Sequence, residues 1–163
     1  AKAGKGRMEW NGPNAECCIK TTLARQIANW VIIYSPLQMA ADLIENYEGH
    51  PAFRFFRDFD ADCDWSKALQ GEIGDYIVVA RRAKDRYFLG AGTDEKARTL
   101  VQKLDFLEPG VTYTATIYAD APDAGRNPEA YLIGKRAVTA RDTIRIEMAE
   151  RGGQAITFIP AEK

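Results

Sequence analysis

Between Trp65 and Pro160 the chain is a series of short alternating segments cut apart by turn residues. This pattern restricts the fold more than any other feature. In Thr112–Tyr118, Tyr113, Ala115 and Ile117 fall on one side and Thr112, Thr114, Thr116 and Tyr118 on the other. In Thr143–Met148, Ile144, Ile146 and Met148 oppose Thr143, Arg145 and Glu147. A period of two marks half-buried strands. Strands are predicted at about Ser66–Gly71, Tyr76–Arg82, Arg86–Gly90, Thr99–Lys103, Thr112–Ala119, Ala130–Val138, Thr143–Ala149 and Gln154–Pro160. Ala83–Asp85 reads as a tight hairpin turn, Glu108–Gly110 as a Pro-Gly turn, Pro122–Pro128 as a longer loop, and Gly152 with Gly153 as the close of the last hairpin. About eight short strands with no helices between them predict a mainly β fold, an antiparallel β-sandwich carrying an N-terminal helical lead. Barrel closure stays open, because strand order is not visible in a sequence. Two packed sheets would bury the apolar rows and leave the polar rows wet.

Before Trp65 the periodicity changes. Met8–Lys20 has Gly, Pro and Asn in its first half and no period, and reads as loop. Thr21 and Thr22 can cap a helix in which Leu23, Ile27, Trp30, Val31 and Tyr34 share a face. Ala28, Ile32 and Ile33 make the opposite face partly apolar as well. Such a helix needs cover on more than one side, more than a single small sheet readily supplies. A missing neighbour or a partner chain is inferred, and the chain alone is expected to dimerise or to fold this lead back on the sheet. Leu23, Ile27, Trp30, Val31 and Tyr34 are therefore the candidate interface. Ser35 and Pro36 look like the cap and first position of a second helix, Leu37 to about Asn46, and His50-Pro51 opens a third, packed through Phe53, Phe55 and Phe56. The expected organisation is an irregular lead (1–20), a helical segment (21–64) and an antiparallel β-domain (65–163).

At 163 residues the chain can bury a real core, and a net charge of -1 supplies no basic footprint for nucleic acid. Ile27–Leu43, the most apolar run, holds Asn29, Ser35, Gln38, Asp42 and a Pro36 break, too polar and too short to span a bilayer. Ala1–Gly6 reads as an engineered end or the remains of a longer protein and is left out of the fold argument. Cys17, Cys18 and Cys63 make neither a disulfide framework nor a zinc spacing.

Candidate chemistry is sparse. Asp58, Asp60, Asp62 and Asp64 alternate as in the first half of a calcium loop, but Cys63 stands where Gly is needed and Leu69 where Glu is needed, so a solvated acidic linker fits better. His50, the single histidine, precedes a proline and reads as a loop residue. Asp94 and Glu95 are adjacent, which would send them to opposite faces of a strand, so they read as loop carboxylates. Trp65, Tyr76, Tyr87, Tyr118 and Tyr131 could include a sugar-stacking platform, with Trp65 and Tyr131 the candidates kept, although strand aromatics are usually core or rim residues. No catalytic or metal-binding residue is assigned.

Thr21–Asp42 (TTLARQIANWVIIYSPLQMAAD), Glu45–Glu48, His50–Phe53, Gly71–Tyr76, Ala80-Arg81, Thr93–Glu95, Ala97–Leu100, Asn127-Pro128 and Ala130-Tyr131 together closely resemble the end of glycoside hydrolase family 97 enzymes. The resemblance spans about Thr21 to Pro160. These are α-glucosidases and α-galactosidases, mainly of Bacteroidetes-type bacteria, with an N-terminal β-sandwich, a (β/α)8 barrel and a C-terminal antiparallel β-domain associated with oligomerisation. The resemblance implies the last barrel helices plus that C-terminal domain, from a periplasmic or secreted parent. It also implies that the catalytic acid and the calcium-ligating glutamates lie outside this region. Met8-Glu9-Trp10-Asn11 is similar to a short Glu-Tyr-Asn motif of the family, whose glutamate would match Glu9, whereas Glu16-Cys17-Cys18 does not reproduce the Pro-Pro-Glu-His stretch. No catalytic role is carried onto Glu9 or Glu16: two loop carboxylates without the barrel, the metal and the sugar subsite are not a glycosidase. The expected function is a non-catalytic β-domain that packs on the barrel and assists oligomerisation, inactive alone. Its partners would be the rest of the parent enzyme or another copy. A carbohydrate-binding module with affinity for α-glucan is the alternative, and residual activity through Glu9 a remote third.

Overall fold

The computed structural model of the chain describes residues 7–9, 16–18, 20–39 and 44–161. Two short strands, β1 (Arg7–Glu9) and β2 (Glu16–Cys18), pair antiparallel with Glu9 opposite Glu16, where the sequence predicts loop. Helix α1 (Leu23–Ile32) follows, then α2 (Ile44–Tyr47), a 3-10 turn (Pro51–Phe53) and α3 (Arg54–Asp58). The β-region contains β3 (Trp65–Glu72), β4 (Tyr76–Ala83), β5 (Arg86–Thr93), β6 (Arg98–Lys103), β7 (Tyr113–Asp120), β8 (Tyr131–Val138), β9 (Thr143–Met148) and β10 (Gly153–Pro160).

All pairings are antiparallel. Six strands form one open sheet in the order β3-β4-β5-β10-β7-β8, and β6 with β9 forms a second. The result is a sandwich, with β3 and β8 at the edges of the larger sheet. Its first core lies between the two sheets. Val78, Leu89, Ile156 and Phe158 of the large sheet meet Ile144, Ile146 and Met148 of β9 there, with Leu104 and Leu107 from the connection after β6. Exposure along β9 alternates residue by residue, as the period of two requires.

The second core lies on the other face of the large sheet, where α1 and α3 cover it. Ile27, Ala28, Val31 and Phe55 pack there against Phe88, Tyr118 and Ala155. The molecule therefore has three layers, helix, sheet and ribbon. The expected wet face of the large sheet is in fact covered at its centre. Tyr118, assigned by alternation to a solvent row, is fully buried against Phe55, with ring centroids 5.5 Å apart.

Two further expectations change. Leu37–Met39 is not helical, and residues 40–43 of the predicted second helix lie outside the described residues, as do Trp10 and Asn11 of the Glu9 motif. The Ser35 hydroxyl bonds both the amide (3.3 Å) and the carbonyl (2.6 Å) of Leu37, which curls the chain locally instead of capping a new helix. In the last hairpin the left-handed residue is Arg151, at φ 57°, and not a glycine.

Candidate functional site

Helix α1 is fastened to the β-domain at both ends. The Thr22 hydroxyl accepts from the Arg25 amide at 3.1 Å, the N-cap expected from the threonine pair. The Leu23 amide donates to the Pro128 carbonyl at 2.7 Å, so the β7–β8 loop supplies a partner as well. At the other end, the last four carbonyls of the helix are all occupied. Asn29 accepts from the Ile33 amide (2.8 Å), Trp30 from Gln38 (3.3 Å), and Val31 and Ile32 from the Arg81 guanidinium. Arg81 comes from β4, is buried, and lies over the Tyr34 ring at 5.1 Å. A buried cation at a helix C-terminus also complements the helix dipole.

Between its ends α1 rests on backbone. Cβ atoms added to Gly90 and Gly153 would stand 2.6 Å from the Ala28 carbonyl and 2.7 Å from the Arg25 Cα. At Gly92 an added Cβ would collide with the Arg25 guanidinium. Gly92 faces Gly153 and Gly90 faces Ala155 across β5 and β10, so the sheet presents a shallow trough. The small Ala24 and Ala28 let the helix sink into it.

Asp120 closes the N-terminal end of this seam. Its Oδ2 accepts from the amides of Ala149 (2.9 Å) and Gly153 (3.0 Å). Burial pushes the Asp120 carboxyl above the ordinary range, opposed by those hydrogen bonds and by the charge of Arg25. Arg25 donates to the Thr93 carbonyl at 2.8 Å and to Asn29, and burial lowers its pKa. A second polar knot, centred on Arg98, joins the β3–β4 turn to the β5–β6 connection. Its guanidinium holds the Asp75 carboxylate (2.8 Å), the Asp94 carboxylate and Thr93, and stacks over Tyr76. Bonded to Arg98, Asp94 titrates low. It braces a turn.

The candidate residues from the sequence are distributed as follows. Ile27 and Val31 are buried inside the chain, against the sheet. Leu23 and Trp30 pack at the margin of the same core, Trp30 against Phe56 at 4.5 Å. Tyr34 stays outside, 62% exposed, and continues into Leu37 (72%) and Met39 (75%). Trp65 sits on edge strand β3 against Tyr87 and Phe106, on the ribbon side. Tyr131 sits on the opposite edge strand, β8, stacked on His50 at 5.5 Å on the helix side. Five strand spacings separate those edges, about 24 Å, and the two rings point to different faces. The acidic linker is split among separate cations, with Asp58 on Arg54 (3.3 Å), Asp60 on Lys84 (3.1 Å) and Asp64 on Arg82 (2.9 Å). Among the described residues no group of three His, Cys, Asp or Glu side chains is placed to hold a metal ion. None of their helices is long and apolar enough to cross a membrane.

The sequence reading missed the exposed pair Leu132 and Ile133 on β8, 55% and 40% exposed. The signal was present: Tyr131-Leu132-Ile133 breaks the period of two, so at least one apolar side chain on an edge strand had to face outward.

Comparison with known proteins places this architecture. Residues 62–159 match the family described as glycosyl-hydrolase 97 C-terminal, oligomerisation. A retaining alpha-galactosidase of Bacteroides thetaiotaomicron is 32% identical over 136 residues, which cover 83% of this chain and 20% of the relative. A glycoside hydrolase family 97 enzyme from Pseudoalteromonas sp. strain K8, also solved in complex with acarbose, superposes with a TM-score of 0.85 at 44% identity over 90% of this chain and 24% of that one. A beta-arabinopyranosidase at 22% identity and a TM-score of 0.72 shares the fold. The chain thus spans a quarter or less of the length of these relatives. With the matched family covering well over half of its residues, the chain belongs to the glycoside hydrolase 97 C-terminal domain family.

Proposed function

We propose that this domain works by association and without catalytic machinery of its own, packing on the barrel of a family 97 enzyme and helping to join copies, in the periplasm or outside the cell. The observation that carries this reading is the unequal use of α1. Its inner face is consumed by the sheet, while Tyr34, Leu37 and Met39 project from its C-terminal end as an exposed apolar patch. Arg81 holds that end in place. An exposed apolar patch beside a fastened helix end is suited to docking. The candidate interface is thus reduced to Tyr34 with its C-terminal neighbours, and the barrel is the proposed occupant.

The test is calorimetric titration of this chain into the Pseudoalteromonas family 97 enzyme lacking its own C-terminal domain. Binding that weakens at least tenfold in Leu37→Asp, with no change in melting temperature, supports the docking. Unchanged affinity in that variant refutes it. The α-glucan alternative through Trp65 and Tyr131 would need two separate subsites, since those rings lie on opposite edges and faces. It is tested by maltooligosaccharide titration of Trp65→Ala and Tyr131→Ala, and no binding to the parent chain at millimolar sugar dismisses it.

A further inference from the structure

The matched oligomerisation region, residues 62–159, contains the exposed Leu132 and Ile133 and excludes the Tyr34 patch. The two surfaces can therefore serve different partners. β8 pairs with β7 over its whole length without a bulge, and its outer edge has no strand partner among the described residues. The opposite edge strand, β3, is interrupted by a bulge between Ala68 and Gln70, a common protection against edge pairing. Successive residues of β8 point to opposite faces, so Leu132 and Ile133 put one exposed apolar side chain on each side of an open edge. Gly134 lies beside them, and a Cβ there would meet nothing within 4 Å. Among the described residues no turn, bulge or contact accounts for that glycine, whereas an incoming backbone would.

Resting on the association reading above, we propose that β8 of one copy adds antiparallel to β8 of a second copy, about a two-fold axis at Leu132–Ile133, making one continuous sheet. An edge strand is self-complementary under such an axis. The charges of β8 disfavour some registers. Centring the axis on Lys135 or Arg136 would set like charges directly opposite each other, which is destabilising. Centred on Leu132, the pairing brings Lys135 toward Glu129, in the turn just before β8 of the second copy. Centred on Ile133, it pairs the isoleucines, with Lys135 opposite Tyr131 and diagonal to Glu129. Apolar residues then meet at the middle, and opposite charges meet at the flanks.

The test is charge exchange at one position. Ile133→Lys and Ile133→Glu are prepared in the full chain, and their masses are measured by light scattering during size exclusion. Wild type is expected at twice 18.2 kDa, each variant alone at half the wild-type mass, and an equimolar mixture of the two back at the wild-type mass. Circular dichroism melting confirms that each variant folds; if either does not, the same exchange at Leu132 replaces it. Variants that keep the doubled mass overturn β8 pairing while leaving the association reading intact. Monomeric variants that fail to recover on mixing overturn the two-fold pairing. A monomeric wild type overturns β8 pairing and the self-joining of copies, while docking on the barrel stands or falls by its own titration.

Discussion

Gly90→Ala tests the seating of α1 on the sheet. The added methyl would lie 2.6 Å from the Ala28 carbonyl oxygen, 2.8 Å from the Val31 Cβ and 3.2 Å from Ile32 Cγ1. The first obstacle is helix backbone, so no side-chain rotation relieves it. Either α1 lifts off the trough or β5 bends away from it, and both strip contacts from Ile27, Ala28 and Val31. Overpacking of this kind costs about 1–3 kcal/mol. Relief of the glycine's conformational entropy offsets at most about 1 kcal/mol of that. For a chain of this size each kcal/mol moves the melting temperature by about 2–4 °C, so a fall of several degrees is expected. Gly125→Ala is the control, because a Cβ there meets nothing within 4 Å and the backbone needs no positive φ. The assay is urea and thermal denaturation by circular dichroism, with amide exchange across Ala24–Ile32 as a local readout. Equal stability of the two variants, with α1 amides equally protected, would refute the seating.

Other outcomes follow from the same seam. Arg81→Met leaves the buried Val31 and partly buried Ile32 carbonyls without donors, and a loss of about 1–3 kcal/mol in urea denaturation is expected; Arg81→Lys recovers only part of it, since an ammonium lacks the planar fork. Thr22→Ala removes the N-cap of α1, for a loss of about 1–2 kcal/mol by the same assay. Carboxyl NMR titration should find Asp120 above the ordinary Asp value of about 3.9, and Asp60, Asp94 and Asp142 below it. The signs are opposite. The raised Asp120 contributes stability at pH below its unfolded value and loses it as pH rises through the folded value. The lowered aspartates contribute above their unfolded values and lose it as pH falls through their folded ones. Asp142→Asn should therefore lessen the loss of stability on acidification, and an unchanged acid limb would argue against the hydrogen bonds from Thr139.

Much of this fold was legible from period and turn chemistry. Ile144, Ile146 and Met148 announced β9, the threonine pair announced the cap of α1, and His50-Pro51 opened the 3-10 turn. What escaped was decided by contacts between distant segments. The sequence pattern carries β5 only to Gly90; the strand continues to Thr93, and α1 lies on its glycines. Gly152 and Gly153 read as hairpin closers, yet Arg151 takes the left-handed turn. The glycines instead make room for the Asp120 carboxylate and for α1. Arg81 caps a helix 50 residues earlier in the chain, a relation that no local pattern carries. The apolar face of α1 was correctly read as needing cover, but a sequence cannot say that the cover is the chain's own sheet. Alternation puts Tyr118 on the wet side because it reports the two faces of a strand and not what lies over each.

The most direct test of the account is the molar mass of the wild-type chain by sedimentation equilibrium over a hundredfold range of concentration. The account predicts a species of twice 18.2 kDa that persists on dilution through at least part of that range. A single 18.2 kDa species at every concentration would contradict it.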